Sequence, residues 1–240
     1  MEYPINKSLK HSYSLGKKWV RYLYKNPFGI KWLLPYFLNL NASTLERRKP
    51  WISYDAIYFL EQYLRKEHIV FEWGSGGSTL FFADRTKHIV SIEHNKEWYD
   101  AVADKIRKES ITNIDYRLIG PDKNLSSDEL ATIKKKNILL DFTDNKSSYR
   151  FLLFESYVKN IDHYNDEYFD IILIDGRSRP SCILRSLSKL KRNGLLIVDN
   201  SERIAYKAAL EQLKDWTVQS FYGPVCCYDL FSQTSIYIKP

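Results

Sequence analysis

Residues 68–79 read His-Ile-Val-Phe-Glu-Trp-Gly-Ser-Gly-Gly-Ser-Thr, and this glycine-rich stretch limits the folds open to the chain more than any other. Its apolar, β-branched start predicts a short buried strand, and the apolar residues 80–83 predict the start of a helix. Gly74 and Gly76 lack a Cβ, so the backbone can turn sharply and a ligand can lie against it, close to the free N–H groups of a helix N-terminus. The stretch therefore predicts a strand, turn and helix unit that holds a nucleotide-like ligand, although any tight turn can use two glycines.

An acidic residue stands where such a ligand would need one. A second predicted strand, residues 87–92, is followed directly by Glu93. A carboxylate about 20 residues after the turn can accept both hydrogen bonds of a ribose diol. The alternative is a strand-end acid that only meets solvent, but position and chemistry together favour ribose binding.

Length and composition fit one α/β domain with an appendage. The chain has 240 residues and a mass of 28.5 kDa, with 44% apolar and 27% charged residues. No window approaches about 18 uninterrupted apolar residues, the length of a membrane-spanning helix. The N-terminus lacks the basic start and apolar core of a signal peptide, so we expect a cytoplasmic protein. The three cysteines have no metal-type spacing and are expected to be reduced packing residues.

Positive charge is concentrated in residues 1–50. This segment, named here the arm, holds ten Lys and Arg residues against Glu2 and Glu46, a net charge of +8, whereas the rest of the chain carries −1. Aromatic residues alternate with the basic ones, and Pro27, Pro35 and Pro50 interrupt the segment, which predicts short helices and turns. Three interpretations stay open: an anchor on anionic lipid at a membrane surface, a nucleic-acid contact, or rings packed over one sheet edge with lysines in water.

The remaining elements follow a regular order. We predict helices over residues 53–64, 97–106 and from Pro180 to about Gly194, and further strands over 113–119, 168–174, 194–198, 217–222 and 235–239. The last two strands have no helical crossover between them, only a turn at Gly223-Pro224. We therefore expect them to pair antiparallel.

The piece between the third and fourth strands, about residues 120–165, is longer than a plain crossover. It contains a predicted charged helix over 127–136, a short run at 137–141 and a predicted aromatic helix over 149–161. The aromatic stripe could form a substrate lid or fill the core. His163 could act as a base, or could be a hydrogen-bonded surface residue.

Acidic residues end the two most apolar strands. Asp175 follows 168–174, and Asp199-Asn200 follows 194–198, as expected of central parallel strands whose carboxyl ends face a site. With Glu72-x-Gly74-x-Gly76, Glu93 and the closing antiparallel pair, residues from about 50 to 240 resemble the class I S-adenosylmethionine-dependent methyltransferases.

This resemblance implies an α/β fold, with a doubly wound, mostly parallel seven-stranded sheet behind the helical arm of residues 1–50. Residues 51–240 would form the methyltransferase domain. Glu72 would lie under the methionine amine of S-adenosylmethionine, and Glu93 would bind its ribose. The backbone beside the cofactor would come from Gly74, Ser75, Gly76, Ser78 and Thr79.

Two other functions stay open. An NAD(P)-dependent oxidoreductase would use a similar turn, but its fingerprint has Gly or Ala at the sixth position, where this chain has Thr79. A non-catalytic binding module could keep the same fold.

Asp175 and the Asp199-Asn200 pair end neighbouring strands about 4.8 Å apart, so they could share one hard cation such as Mg²⁺. This is similar to the metal-dependent O-methyltransferases of the catechol O-methyltransferase family. That family has a lysine base three residues after the first Asp, where this chain has Ser178, so metal ligation stays open. Alternatively Asp175 binds the methionine amine or accepts the substrate proton, and Asn200 only caps the turn.

Arg177 and Arg179 follow Asp175 closely. Two guanidinium groups beside a methyl-transfer site would suit a carboxylate or phosphate on the acceptor, or would neutralise the nearby acids. The sequence thus predicts O-methylation of a small-molecule or saccharide-like, acidic acceptor, with Asp175, Arg177, Arg179, Asp199 and Asn200 as the catalytic candidates.

Overall fold

A seven-stranded sheet organises the chain. The computed structural model describes residues 9–136, 140–144 and 146–240. Its strands are β1 (Ile69–Trp73), β2 (His88–Glu93), β3 (Ile114–Leu118), β4 (Lys123–Asn124), β5 (Leu152–Leu153), β6 (Phe169–Ile174), β7 (Leu190–Asp199), β8 (Thr217–Pro224) and β9 (Phe231–Ile238).

Helices connect the strands on both faces of the sheet. They are α1 (Leu9–Lys25), α2 (Leu33–Asn39), α3 (Thr44–Arg47), α4 (Tyr54–Tyr63), α5 (Gly77–Ala83), α6 (Lys96–Lys108), α7 (Ser127–Lys136), α8 (Glu155–Lys159), α9 (Arg179–Lys189) and α10 (Lys207–Leu210), with 3-10 turns at Pro27–Trp32, Ser147–Tyr149, Asn160–His163, Ile204–Tyr206 and Glu211–Leu213. Local signals set several starts: the Asn95 side chain accepts from Trp98 N at 2.8 Å and begins α6, and Pro180 lies in the first turn of α9.

The strand order is β3-β2-β1-β6-β7-β9-β8. The first five strands are parallel, and β9 is antiparallel to both β7 and β8. Because β1 and β6 are adjacent where the order changes direction, their carboxyl ends border the crevice in which such folds bind ligands. The predicted doubly wound, mostly parallel sheet with its closing antiparallel pair is confirmed.

Each face of the sheet has its own apolar core. On one face Ile171, Leu173, Leu195 and Ile197 pack with the arm, α4 and α5. On the other face Ile172, Ile174, Leu196 and Val198 pack with α8, α9 and α10. The alternation along β6 and β7 explains why both strands read as continuous apolar runs.

The arm is helical and attached to the domain by its buried side. Trp19, Tyr22 and Tyr36 are buried, and Trp19 makes an edge-on contact with Phe231 at 5.3 Å between ring centroids. Asp55, in the first turn of α4, fixes the arm because three groups donate to its carboxylate: Tyr22 Oη (2.7 Å), Asn26 Nδ2 (3.1 Å) and Trp32 Nε1 (2.6 Å).

Several predicted boundaries are wrong. Residues 149–161 do not form one helix, because Leu152 and Leu153 pair with Asn124 and Lys123 and so interrupt it. Helix α9 ends at Lys189 rather than near Gly194, because β7 already begins at Leu190. Gly223 and Pro224 pair with Ser232 and Phe231 inside the hairpin, whose turn lies beyond them. Most of the run at 137–141 lies outside the described residues. Among those that are described, no helix is both long and apolar enough to span a bilayer.

Candidate active site

The loops after β1 and β6 touch at the centre of the site. Gly74 has φ +93°, and a Cβ there would lie 2.7 Å from the backbone nitrogen of Gly176. A Cβ on Gly176 would overlap the hydroxyl of Tyr157. The first glycine is therefore required by both its conformation and this close approach. The sequence predicted a sharp turn at Gly74 but gave no sign that its neighbour would be Gly176.

Glu72 is a buried carboxylate with one oxygen unused. Its Oε1 accepts hydrogen bonds from Thr79 Oγ1 and from Ser91 Oγ (2.7 Å). Its Oε2 is buried and has no hydrogen-bond partner among the described residues. Burial raises the pKa of Glu72 to about 7, although the nearby hydroxyls of Ser91, Thr79 and Ser78 act in the opposite direction. A buried oxygen of this kind is expected to receive a cation or a donor from a ligand.

Glu93 joins the same loop to the end of β2. Its Oε2 accepts from Ser75 N and Ser75 Oγ, both at 3.1 Å, and its Oε1 accepts from the backbone N–H groups of His94 and Asn95, both at 2.8 Å. Burial alone would raise its pKa, but His94 and these N–H groups outweigh burial and lower it. Glu93 is therefore an ionised carboxylate held directly beside the glycine-rich loop.

Aromatic side chains that the sequence did not single out border this loop. Ser75 Oγ lies 2.7 Å from the hydroxyl of Tyr116, whose ring stacks on Tyr99 at 4.4 Å. Trp98 Nε1 donates to the carbonyl oxygen of Ser75 at 2.8 Å, and its ring lies in van der Waals range of a Cβ on Gly76. Tyr116 lies on β3 and Trp98 on α6, so only the folded topology brings them to the loop.

On the other side of the crevice, Arg179 lies between Asp175 and Asp199. Its Nη2 donates to Asp175 Oδ1 and to the Asp175 carbonyl oxygen, both at 2.7 Å, and its Nη1 donates to the Asp199 carbonyl oxygen at 2.7 Å. Nη1 also lies 3.6 Å from Asp199 Oδ2 and 3.4 Å from Asn200 Oδ1, and Nε donates to the Gly176 carbonyl oxygen at 3.0 Å. All five N–H groups of this buried guanidinium are therefore engaged within the protein.

The two carboxylates of this cluster are not equivalent. Burial and the charge of Asp175 raise the pKa of Asp199 to about 7, and Asp199 Oδ1 also accepts from Thr234 Oγ1 at 3.0 Å. Burial raises the pKa of Asp175 as well, against the opposing charge of Arg179. The Asp175 side chain is 21% exposed, whereas that of Asp199 is 5% exposed. Asp175 is therefore the carboxylate that an acceptor can reach.

Arg177 lies at the mouth of the site. Its guanidinium carbon is 4.7 Å from the centre of the Tyr149 ring, and its Nη1 is 3.8 Å from Asp144 Oδ1. Its Nε is buried without a hydrogen-bond partner among the described residues. Unlike Arg179, this guanidinium has donor capacity left for a ligand.

The described residues of the predicted lid segment, about residues 120–165, include several that pack over this end of the sheet. Tyr149, Phe154 and Tyr157 surround His94 with ring centroids 5.3 to 6.2 Å away. Asp144 Oδ2 accepts from the backbone N–H of Ser178 at 3.0 Å. The segment therefore contributes aromatic rings both to the core and to the border of the site. His163 is exposed, away from these contacts.

Solved structures share this architecture. A methyltransferase-like protein from Silicibacter pomeroyi superimposes with a TM-score of 0.50 at 18% identity, covering 76% of this chain and 84% of the other. An rRNA methylase from Streptococcus thermophilus gives 0.49 at 16% identity, with 76% and 93% covered, and a Streptococcus mutans protein in complex with S-adenosylhomocysteine gives 0.48 at 14%, with 75% and 94% covered. No protein-family model and no curated protein sequence matches the chain.

The chain has the class I methyltransferase fold. Two features of its crevice bear on the cofactor that the resemblance implies. Oε2 of Glu72 has no hydrogen-bond partner within the described ranges and could accept from a methionine ammonium, and Glu93 lies beside Ser75 on the loop that a ribose would border. Gly74 keeps the backbone of that loop free of side-chain bulk.

Magnesium does not fit this crevice in the way that the similarity to the metal-dependent O-methyltransferases left open. The position between Asp175 and Asp199 is taken by the guanidinium of Arg179, which is covalently part of the chain. Within residues 9–136, 140–144 and 146–240 there is no group of three or more His, Cys, Asp or Glu side chains placed to hold a metal ion. The Mg²⁺ that the sequence left open at these strand ends is therefore not supported.

A separate groove of about 820 Å³ lies between the arm, α4 and the outer strand β8. Its walls include the rings of Tyr22, Tyr58 and Tyr222. Because β8 is separated from β7 by β9, this groove is distinct from the crevice around Glu72 and Asp175.

Proposed function

We propose that the protein is an S-adenosylmethionine-dependent methyltransferase that methylates an oxygen of a small-molecule or saccharide-like, acidic acceptor. The observation that carries the proposal is the buried Oε2 of Glu72, which no described residue engages, two residues before a loop in which Glu93 accepts from Ser75 N and Ser75 Oγ. A ligand that combines an ammonium with a ribose diol would supply the missing donor to Glu72 and place its diol beside Glu93.

When bound, the cofactor would supply an electrophilic methyl group on sulfur. The chain would then have to bind the cofactor, orient the acceptor and remove a proton from the acceptor hydroxyl. Glu72 would hold the ammonium, and Glu93 with Ser75 would hold the ribose. Because the methyl group is already activated, holding the acceptor oxygen in line at about 3 Å can supply much of the acceleration.

Asp175 is the proposed proton acceptor. Its Oδ1 is bound by Arg179, and no hydrogen bond between described residues engages its Oδ2. Arg179 would therefore be a positioning residue that fixes the carboxylate, and Oδ2 would take the proton from the acceptor hydroxyl. The raised pKa of Asp175 makes it a better base than an ordinary aspartate.

Arg177 is the proposed contact to an acidic group of the acceptor. Its buried Nε needs a partner, and a carboxylate or phosphate can accept from two N–H groups of a guanidinium at once. Arg179 cannot share this role, because its N–H groups are already bound. The sequence treated the two arginines alike, and the proposal separates them.

Calorimetric titration tests the proposal. S-adenosylhomocysteine is expected to bind the wild type, NAD is not, and Glu93→Ala is expected to weaken binding about tenfold or more because it removes a charged acceptor. Glu97→Ala, an exposed acid on the neighbouring helix α6, is the matched control and should bind as the wild type does. Binding of NAD alone would point to an oxidoreductase, and binding of neither would point to a non-catalytic module.

A further inference from the structure

Exposed apolar side chains are concentrated in one short part of the arm. Seven large apolar side chains between residues 20 and 38 are more than half exposed: Val20 (70%), Tyr24 (87%), Phe28 (84%), Ile30 (55%), Leu34 (67%), Phe37 (52%) and Leu38 (69%). In the described residues after 38, only Ile204 exceeds one half. We call these seven side chains the arm surface. Such a concentration marks an interaction site rather than ordinary scatter.

The same stretch is purely basic. No Asp or Glu occurs between residues 3 and 45, whereas the same stretch of sequence contains Lys17, Lys18, Arg21, Lys25 and Lys31. Apolar and aromatic side chains interleaved with positive charge match the chemistry of an anionic bilayer, whose headgroups attract the cations while its acyl boundary takes up the apolar groups.

The arm surface is presented by a fixed structure. Opposite the exposed Val20 and Tyr24, α1 buries Trp19 and Tyr22 against the domain. Tyr22, Asn26 and Trp32 are all bound to Asp55. The buried side of the arm already makes the contact with the domain. The exposed apolar side chains on its other side are therefore not needed for that contact.

The arm also lies at the site end of the sheet. Asp199 pairs with Thr234, so the turn between β8 and β9 projects beyond the carboxyl end of β7. Tyr36 of α2 donates to Asp229 in that turn at 2.9 Å, and Trp51 contacts Tyr228 at 4.9 Å between centroids. The C-terminal part of the arm also contacts the glycine-rich loop region. Gly77 lies so close to the carbonyl oxygen of Thr44 that a Cβ on Gly77 would overlap it.

We propose that the arm docks the protein on the surface of an anionic lipid bilayer, with the site end of the sheet on the membrane side. The proposal does not depend on the methyl-transfer chemistry. Aliphatic groups such as Ile30, Leu34 and Leu38 would gain nothing from a nucleic acid, which is bound by charge and ring stacking. A second copy of the same basic surface would be repelled by its charge.

The full chain would be sedimented with phosphatidylcholine vesicles, with and without 30% phosphatidylglycerol. Binding is expected only to the anionic vesicles and should weaken as salt is raised. Arg21→Gln with Lys25→Gln should lower the partition coefficient about fivefold for each charge removed. Phe28→Ser with Leu34→Ser should lower it about tenfold for each side chain.

Matched controls keep the test specific. Lys87→Gln with Lys108→Gln removes two exposed charges elsewhere, and Ile204→Ser removes an equally exposed apolar group. These variants should bind as the wild type does, and thermal unfolding should show every variant folded, because the altered side chains are exposed. Failure to bind anionic vesicles would overturn the proposal. So would dimerisation that Phe28→Ser with Leu34→Ser abolishes, or single-stranded RNA binding that the apolar variants leave unchanged while vesicle binding is absent.

Discussion

The two halves of the candidate site treat buried charge in opposite ways. On β1, Glu72 is buried, and its Oε2 has no hydrogen-bond partner in the part of the chain that the structure describes. Beside β6 and β7, Asp175 and Asp199 share a guanidinium whose every N–H group is bound. The first half is incomplete without a ligand, whereas the second half is complete by itself. Under the proposed function, the first half would bind the cofactor and the second half would hold the base in place.

Arg179→Met should produce the largest effect, because it leaves two buried carboxylates without their cation. We expect the free energy of unfolding to fall by about 3–5 kcal/mol, measured by urea denaturation. Arg177→Met, at the partly open mouth of the site, is the matched control and should cost much less. Recovery of the Arg179→Met variant by millimolar Mg²⁺ would show instead that the cluster can act as a metal site.

Glu72→Gln should have the opposite signature. It removes a buried charge whose pKa is already raised, so stability should stay the same or increase. Affinity for S-adenosylhomocysteine should fall about 10- to 100-fold, since a hydrogen bond to a charged group contributes about 1.5–3 kcal/mol. Calorimetry measures this affinity, and urea denaturation of the same preparation measures the free energy of unfolding. Equal losses of stability in Glu72→Gln and Arg179→Met would remove the distinction between the two halves.

The pH dependence sharpens the same comparison. The pKa of Glu72 is raised from 4.5 to about 7, so below pH 7 its carboxyl holds a proton that an incoming ammonium must displace. Affinity for S-adenosylhomocysteine should rise as pH increases from 5 to 7, by up to about tenfold per unit, and then level off. For the free protein, the raised pKa means that ionising Glu72 lowers stability as pH rises from 4.5 through 7. The pH dependence of affinity and that of stability should both be weaker in Glu72→Gln. If the pH dependence of affinity is unchanged in this variant, Glu72 is not the group that binds the ammonium.

Arg177→Ala should give the smallest effect and should change only the kinetics toward the acceptor. We expect turnover of an acidic acceptor to fall about tenfold through a higher KM, while affinity for S-adenosylhomocysteine stays within about twofold. Glucuronate and glucose form a matched acidic and neutral pair, and Arg150→Ala, exposed in the lid segment, is the control. An unaltered preference for glucuronate would remove the acid-binding role.

The parts of the site that the sequence predicted are those set by local pattern. Strand ends can be recognised in the sequence where a run of apolar residues stops, as it does in β6 and β7. These ends carry the glycine-rich turn, Glu72, Glu93 and Asp175. The fold follows from the same runs, because alternating strands and helices leave few arrangements other than a doubly wound sheet.

The rest depended on contacts between elements far apart in the chain. Ser91 donates to Glu72 because β1 and β2 pair in a register that sets these two residues opposite each other. Whether Arg179 would face the acceptor or the acids depended on how α9 starts relative to β7. The interrupted helix at 149–161 depended on strand pairing with Lys123 and Asn124, which outweighs a local helical pattern.

The guanidinium of Arg179 has a consequence for how the protein behaves in a cell. A counter-ion that is attached to the backbone cannot be stripped away by a chelator or lost when free divalent cations become scarce. The position of the Asp175 carboxylate is therefore set by the fold itself and does not depend on the concentration of divalent cations in the surroundings.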